Sequence, residues 1–452
     1  MKITENLVSL VRNTDYKNLT ENCILEAKKC ILDGIGITLA GSRHKASRIL
    51  KKYVMEIGGG RHSTIFGNNP IKSSVSNSAL VNGVACHVLD FDDTHRILGG
   101  HPTAVILPVV LALGEYTNSS GKDILTAFIL GVEISCKIAR GVNPYHYQTG
   151  YHVTSTIGVF GATAAAGKLL KLSNEELIYA LGIAGSMSSG LKENFGTMTK
   201  SLHIGLAASN GIKAALLARK GLTASKQILE GELGFCNVLS KECQLADIIK
   251  DFGNPWEIEN PGIARKKYPC CARVHTAIDG VLKIVNKHNI TYEDLAGIEC
   301  ATDDIAFNIL IHPIPKSELE AKFSMPFCLA VAFLEKDVFI NHFTQEKIKD
   351  KNVINVMRKV NHVPDREITL KGYEYRWTSK VKIKLKKGMT FYEKVEKCKG
   401  DPQNPLSDEE IVEKFCRCAK GMLDQRKRDS IIEKIIHLEG EKDIRNMVKL
   451  FC

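Results

Sequence analysis

LHIGLAASNGIKAALLARKG, residues 202–221, sets the architecture of this chain. Its small residues recur at three- and four-residue spacing, which lets neighbouring helices approach closely. IGVFGATAAAGKLL, residues 157–170, has the same texture. Both stretches read as buried central helices of a bundle. Outward from them, the chain to about residue 260 reads as helix after helix. Ser173 followed by Glu176 is a capping box that opens one helix. Residues 223–229 and 240–250 suggest further short ones.

After Pro261 the texture changes. Residues 296–302 (AGIECAT) are strand-like. Residues 379–385 (SKVKIKL) alternate, placing Val381, Ile383 and Leu385 on one face, and Lys386-Lys387-Gly388 turns the chain into residues 389–395. That is a hairpin signal. From Ser407, with Glu410 three residues on, the chain is helical again. The expected fold is mainly α with an α+β second domain: a discontinuous helical bundle over 1–264 and 399–452, with an α+β domain over 265–398 inserted.

At 452 residues the chain is long enough for a large core. No apolar run approaches the roughly 18 residues of a membrane span, and the first residues carry no secretory apolar core. The 14 cysteines are scattered, many in apolar helical stretches, as expected of reduced thiols in a cytoplasmic protein. The formal charge of +11 invites a nucleic-acid reading. The basic residues are spread out without interleaved aromatics, so a solvated lysine-rich surface or an anionic small-molecule substrate fits better. Neither nucleic acid nor membrane is an expected partner.

CHVLDFDDTHRILGGHPT, residues 86–103, concentrates Asp90, Asp92, Asp93, Thr94, His87, His95 and His101 just before an apolar helical run. Such groups cluster where protons are transferred or ions bound. Four further segments stand out. GYHVTST (150–156) and GTMTKSLH (196–203) each precede a small-residue helix, where hydroxyls or a lysine suit an anion. KKYPCCARVH (266–275) pairs cysteines with a histidine, but adjacent Cys270-Cys271 lacks zinc-ligand spacing. EAKFSMPF (320–327) reads alone as a packing corner.

Three function classes compete. A metal-free lyase or isomerase of a polycarboxylate uses Asp, His and Lys together: a base removes a proton next to a carboxylate while cations hold the charge. A protonating terpene-type cyclase matches the D-x-D-D-T pattern of Asp90 to Thr94. Its carbocations need many aromatics, and this chain has 2 Trp and 7% aromatics. A scaffold in which the aspartates only cap a helix leaves three histidines in one loop without a purpose.

HVLDFDDTH…HPT, GYHVTSTIGVFGA, GTMTKSLHIGLAA, KKYPCCARVHTAID, EAKFSMPF and GDPQNPLS occur in an order that resembles the MmgE/PrpD family. That family includes 2-methylcitrate dehydratase, cis-aconitate decarboxylase and iminodisuccinate epimerase. The resemblance covers roughly residues 5–450. It implies a helical domain, an inserted α+β lid domain, a homodimer, a small di- or tricarboxylate substrate, and no metal or organic cofactor. Carried over motif by motif, it points to Asp90, His101, His152 and Lys200 as catalytic. Thr94, Lys266, Cys271 and His275 are implied as substrate-binding. Lys200 and Lys266 would clamp carboxylates, His101 with Asp90 would handle the proton, and His152 would be a second acid/base or a carboxylate ligand.

Two departures bear on the reaction. Cys271 stands where the decarboxylase carries a histidine, which removes a proton donor effective near neutrality. Phe327 stands where tyrosine is common. These favour a 2-methylcitrate- or citrate-type dehydratase, with iminodisuccinate-like epimerisation or cis-aconitate decarboxylation as the alternatives. Structural readings remain open for several residues. His87 and His203 suit core positions, Asp92 and Asp93 suit capping or holding His101, Cys270 suits a pocket wall, and Arg273 suits either a carboxylate ligand or the surface.

Overall fold

A Cβ added at Gly205 would meet the Leu80 carbonyl oxygen at 2.3 Å. The helices Val75–His87 and Met198–Arg219 therefore cross backbone to backbone. Gly211 packs equally tightly on Gly158–Leu169, where a Cβ would lie 2.4 Å from that of Ala162. The small-residue spacing thus marks central helices. The computed structural model describes residues 2–371 and 377–451. They form two units: Met1–Val88 with Asp92–Arg265 and Ser407–Cys452, and Leu89–Phe91 with Lys266–Leu406.

The first unit is helical. Glu21–Gly41, Pro102–Thr117 and Gly121–Val142 join the two central helices. The capping boxes at Ser173/Glu176 and Ser407/Glu410 are both formed, each glutamate accepting from its cap's amide (2.7 and 2.9 Å). Residues 223–229 are irregular chain followed by turns rather than a helix. Seven residues cannot sustain a helix without packing along one face. The 240–250 stretch shrinks to the single turn Leu245–Ile248. A two-residue antiparallel pair, Thr94–His95 with Ile263–Ala264, closes the loop that follows Asp93.

The tail returns to the bundle through Asp408–Ala419, which packs on Glu21–Gly41. Lys414 Nζ lies 2.8 and 3.0 Å from the two carboxylate oxygens of Asp33, both residues being buried.

The second unit carries a four-stranded sheet in the order Val360–Pro364, Leu295–Thr302, Ser379–Leu385, Thr390–Val395. The first pairing is parallel and the others antiparallel. The hairpin turns at Gly388 (φ +90°), and Val381, Ile383 and Leu385 face the core. The helices His275–His288 and Met325–Glu335 cover that face, packing Val281, Val285 and Val331 onto it. Among the described residues no helix is long and apolar enough to cross a membrane.

Breaking a buried ion pair strands one charge, at about 3–5 kcal/mol. Lys414→Met is expected to lose that much in urea unfolding. The Asp33→Leu/Lys414→Met double variant should recover most of it, since neither charge remains.

Candidate active site

His87 is the last residue of one helix, and His101 precedes Pro102, the first residue of the next. The His101 side chain does not cap that helix. Asp93 does so from a distance: its carboxylate accepts from the Thr103 amide (3.2 Å) and hydroxyl. Burial, opposed by the Thr103 hydrogen bond and reinforced by the Asp92 charge, pushes Asp93 up to about 6.

Asp92 Oδ2 takes His87 Nδ1 at 2.8 Å and His101 Nδ1 at 3.2 Å. His101 Nδ1 also lies 2.9 Å from the Asp93 carbonyl, which can only accept. That nitrogen therefore carries the proton, and the lone pair of His101 resides on Nε2. Burial raises the Asp92 carboxyl, but the two imidazoles outweigh it and hold the group well below the ordinary carboxylate range. Asp92 thus accepts from His87 and stands as a counter-charge beside the His101 ring, whose N–H is aimed at the Asp93 carbonyl. Burial pushes His87 down to about 4, against the pull of Asp92, so it is neutral at pH 7. His87 is 1% exposed at its side chain and His101 12%, which makes His101 the reachable member.

His152 and His203 extend the cluster. Their Nδ1 atoms are 3.1 Å apart, and the His87 and His152 ring centroids are separated by 6.3 Å. Lys200 sits in the first turn of Met198–Arg219, its Nζ 5.2 Å from the Phe195 ring centroid. Phe195 in turn packs edge-on against His152 at 4.9 Å. Burial first and the Lys200 charge second lower both His152 and His203. Neutral imidazoles beside a lysine form a positively biased recess that disfavours its own further protonation. Thr94 is half-buried in its two-residue strand.

The second unit holds the other predicted residues. Asp90 adopts φ +52°. Lys266 Nζ reaches its carboxylate at 3.1 Å and its carbonyl at 3.0 Å. Burial first, then the Asp90 charge, pushes the Cys271 thiol up to about 11. His275 Nε2 lies 3.3 Å from the Cys270 carbonyl, with the ring 1% exposed. Arg273 is neither open surface nor a free carboxylate ligand: its guanidinium stacks on Trp377 at 4.0 Å and pairs with Asp303 at 3.5 Å.

The expected Asp90–His101 pairing is corrected: the carboxylate on His101 belongs to Asp92. Sequence reading allowed Asp92 that part as an alternative. One oxygen lying beside two rings is not legible in the sequence, because spacing in a loop does not reveal which side chains converge. His87, Asp92 and His101 also place one potential ligand atom each within 4.8 Å of one another, close enough to ligate a metal. Ligation through the Nδ1 atoms would require both to give up the protons that they now carry.

The buried imidazoles predict acid lability. His87 and His95, both pushed down to about 4 chiefly by burial, bind protons near 6.5 once unfolded. Between those values the unfolded chain takes up two protons that the folded chain refuses, so stability falls as pH drops. Asp93 and Glu133, raised to about 6 and about 7 chiefly by burial, oppose this with two protons. His362, pushed down to about 4, and His152, lowered well below its ordinary value, add two more on the histidine side. Calorimetry should show the Tm decreasing from pH 7 to pH 5. A flat or rising Tm would contradict neutral buried rings.

Models of the MmgE/PrpD N-terminal and C-terminal domains match residues 5–246 and 268–438. The chain is 30% identical to the cis-aconitate decarboxylase of Homo sapiens, over 98% of its own length and 92% of that protein. It is 25% identical to the cis-aconitate decarboxylase of Aspergillus terreus, over 99% and 95%.

Proposed function

This chain belongs to the MmgE/PrpD family, and we propose that it is a lyase of a tricarboxylic acid, with decarboxylation of a cis-aconitate-like substrate as its reaction. The dehydratase reading moves to second place, because full-length relatives carry the decarboxylase name. The observation that carries the chemistry is the Asp92–His101 dyad. The Asp93 carbonyl fixes the tautomer and leaves Nε2 with its lone pair, and Asp92 places a carboxylate to stabilise the imidazolium that forms on protonation.

Decarboxylation breaks the bond between a carboxylate and its neighbouring carbon. The electron pair left behind spreads into the adjoining alkene and carboxylate, and a proton quenches it. We assign proton delivery to His101. Nε2 first takes a proton from water to give the imidazolium, then passes that proton to the carbon as carbon dioxide leaves, while the Nδ1 proton stays in place. Asp92 is assigned the stabilisation of that imidazolium. Lys200 offsets the developing negative charge. His152 is assigned a carboxylate-ligand role, and Lys266 with Asp90 the recognition of a second carboxylate. The homodimer and the lid role of the α+β domain belong to the same reading and rest on family resemblance.

Cys271 favours dehydration as the second reading. A thiol held near 11 by burial and by the Asp90 charge is a poor acid at neutral pH. Dehydration asks no protein group to protonate carbon.

Proton NMR in D2O with the EDTA-treated protein separates the outcomes. Carbon dioxide release from cis-aconitate with new vinyl signals is expected. Loss of water from 2-methylcitrate or citrate would transfer the assignment to the dehydratase. Deuterium entering an α-position without net loss would indicate an epimerase, and inertness toward all of these acids would overturn the reading. His101→Gln is expected to lower kcat about 10²–10⁴-fold. Asp92→Asn should lower it about 10²-fold, since the imidazolium that forms on His101 then lacks the carboxylate beside it.

A further inference from the structure

The helix Glu318–Ala321 stops at Lys322, whose side chain is buried at 4% exposure. Its ammonium donates to two main-chain carbonyls, Leu89 at 2.7 Å and Pro269 at 2.7 Å. It also lies 4.4 Å from the Phe343 ring centroid. The Lys322 carbonyl accepts from the Cys271 amide at 3.0 Å. One residue thus ties the three-residue segment Leu89–Phe91 to the corner that carries Pro269, Cys270 and Cys271, by side chain and main chain together.

Asp90, at the centre of that segment, is in the left-handed region at φ +52°. Aspartate tolerates that region better than most residues, though less freely than glycine. Two lysines take consecutive carbonyls across this point: Lys322 holds Leu89, and Lys266 holds Asp90 at 3.0 Å. On the other side, the Phe91 ring packs edge-on against Phe339 at 5.5 Å. Burial pushes the Lys322 ammonium down to about 8, opposed by the Asp90 charge. A lysine kept at such a depth is retained for its donors.

We propose that Lys322 is a positioning residue, which fixes the Leu89–Phe91 segment so that the Asp90 carboxylate meets Lys266 in the orientation used in turnover. The functional half of this rests on the part given to Asp90 above. Lys322 itself need not touch substrate. A methionine side chain in its place would fill nearly the same length without a donor and leave both carbonyls unpaired, so K322M isolates the interaction.

K322M, Asp90→Asn and their combination are to be assayed on the acid that the wild type turns over. Asparagine tolerates the left-handed region as aspartate does, so D90N removes only the charge. K322M is expected to lower kcat about 100-fold. In the D90N background the same change should lower it less than about 2-fold, because the positioned group is already lost. Losses that multiply in full would overturn the proposal.

A second readout needs no substrate. Amide hydrogen exchange across residues 89–91 should speed up roughly 10-fold or more in K322M, with His275–His288 unchanged. Unaltered exchange at 89–91 would overturn the proposal as well. If K322M unfolds, Lys322→Gln, one bond shorter, uncharged and unable to span both carbonyls, carries both comparisons. If the wild type consumes none of the acids tested, the functional reading fails, while the exchange result still decides whether Lys322 holds the segment.

Discussion

Asp92 carries its carboxylate at 1% exposure, and two imidazole rings converge on one of its oxygens. A carboxylate moved out of water costs several kcal/mol. A hydrogen bond from His87, about 1.5–3 kcal/mol to a charged acceptor, and the His101 ring at 3.2 Å are what make the position tolerable. The arrangement around the site follows from that constraint. His87 ends one helix and His101 precedes another, so a single atom closes the base of the loop between them. Both rings are locked in one tautomer. His101 alone of the pair reaches solvent, so burial divides two similar residues into a support and a candidate acid/base.

The three aspartates of the loop show how partners rather than spacing assign chemistry. Asp92 and Asp93 are adjacent, and in extended chain adjacent side chains diverge. One finds two imidazoles and stays ionised far below its usual range. The other finds a hydroxyl and an amide, and burial raises it to about 6. Two neighbouring carboxyls are thereby separated in acidity, the arrangement that lets one hold charge while the other approaches neutrality. Asp90, two residues earlier, turns through a left-handed backbone to Lys266 and belongs to the other unit.

Much of the fold was legible. Small-residue spacing located the central helices, the two capping boxes marked true helix starts, and alternation with Lys-Lys-Gly located the hairpin. These signals are local, and the structure keeps them because packing agrees with them. The parallel strand Val360–Pro364 was missed: VNHVP has weak alternation and ends in proline. The pairing of His101 with Asp92, and the three-residue excursion of Leu89–Phe91 into the second unit, depend on contacts that no local pattern encodes. Lys322, within a segment that reads alone as a packing corner, is silent in the sequence for the same reason. Its partners are carbonyls of residues 89 and 269, and a carbonyl leaves no trace in side-chain sequence.

The first-unit cluster also bears on what it binds. Burial, with Lys200 adding its repulsion, keeps His87, His152 and His203 neutral near pH 7. An anion beside these rings removes part of that penalty, since a nearby negative charge favours the imidazolium. Each added carboxylate on a ligand strengthens the effect, whereas a neutral ligand leaves it untouched. Proton affinity and ligand charge are then linked: a polycarboxylate increases the basicity of the His152 and His203 imidazoles beside it. A metal-like cation at the His87 and His101 Nδ1 atoms would act in the opposite sense, competing with the two protons beside Asp92. The cluster therefore favours anions through the same kind of imidazole contact that keeps its own buried carboxylate in place.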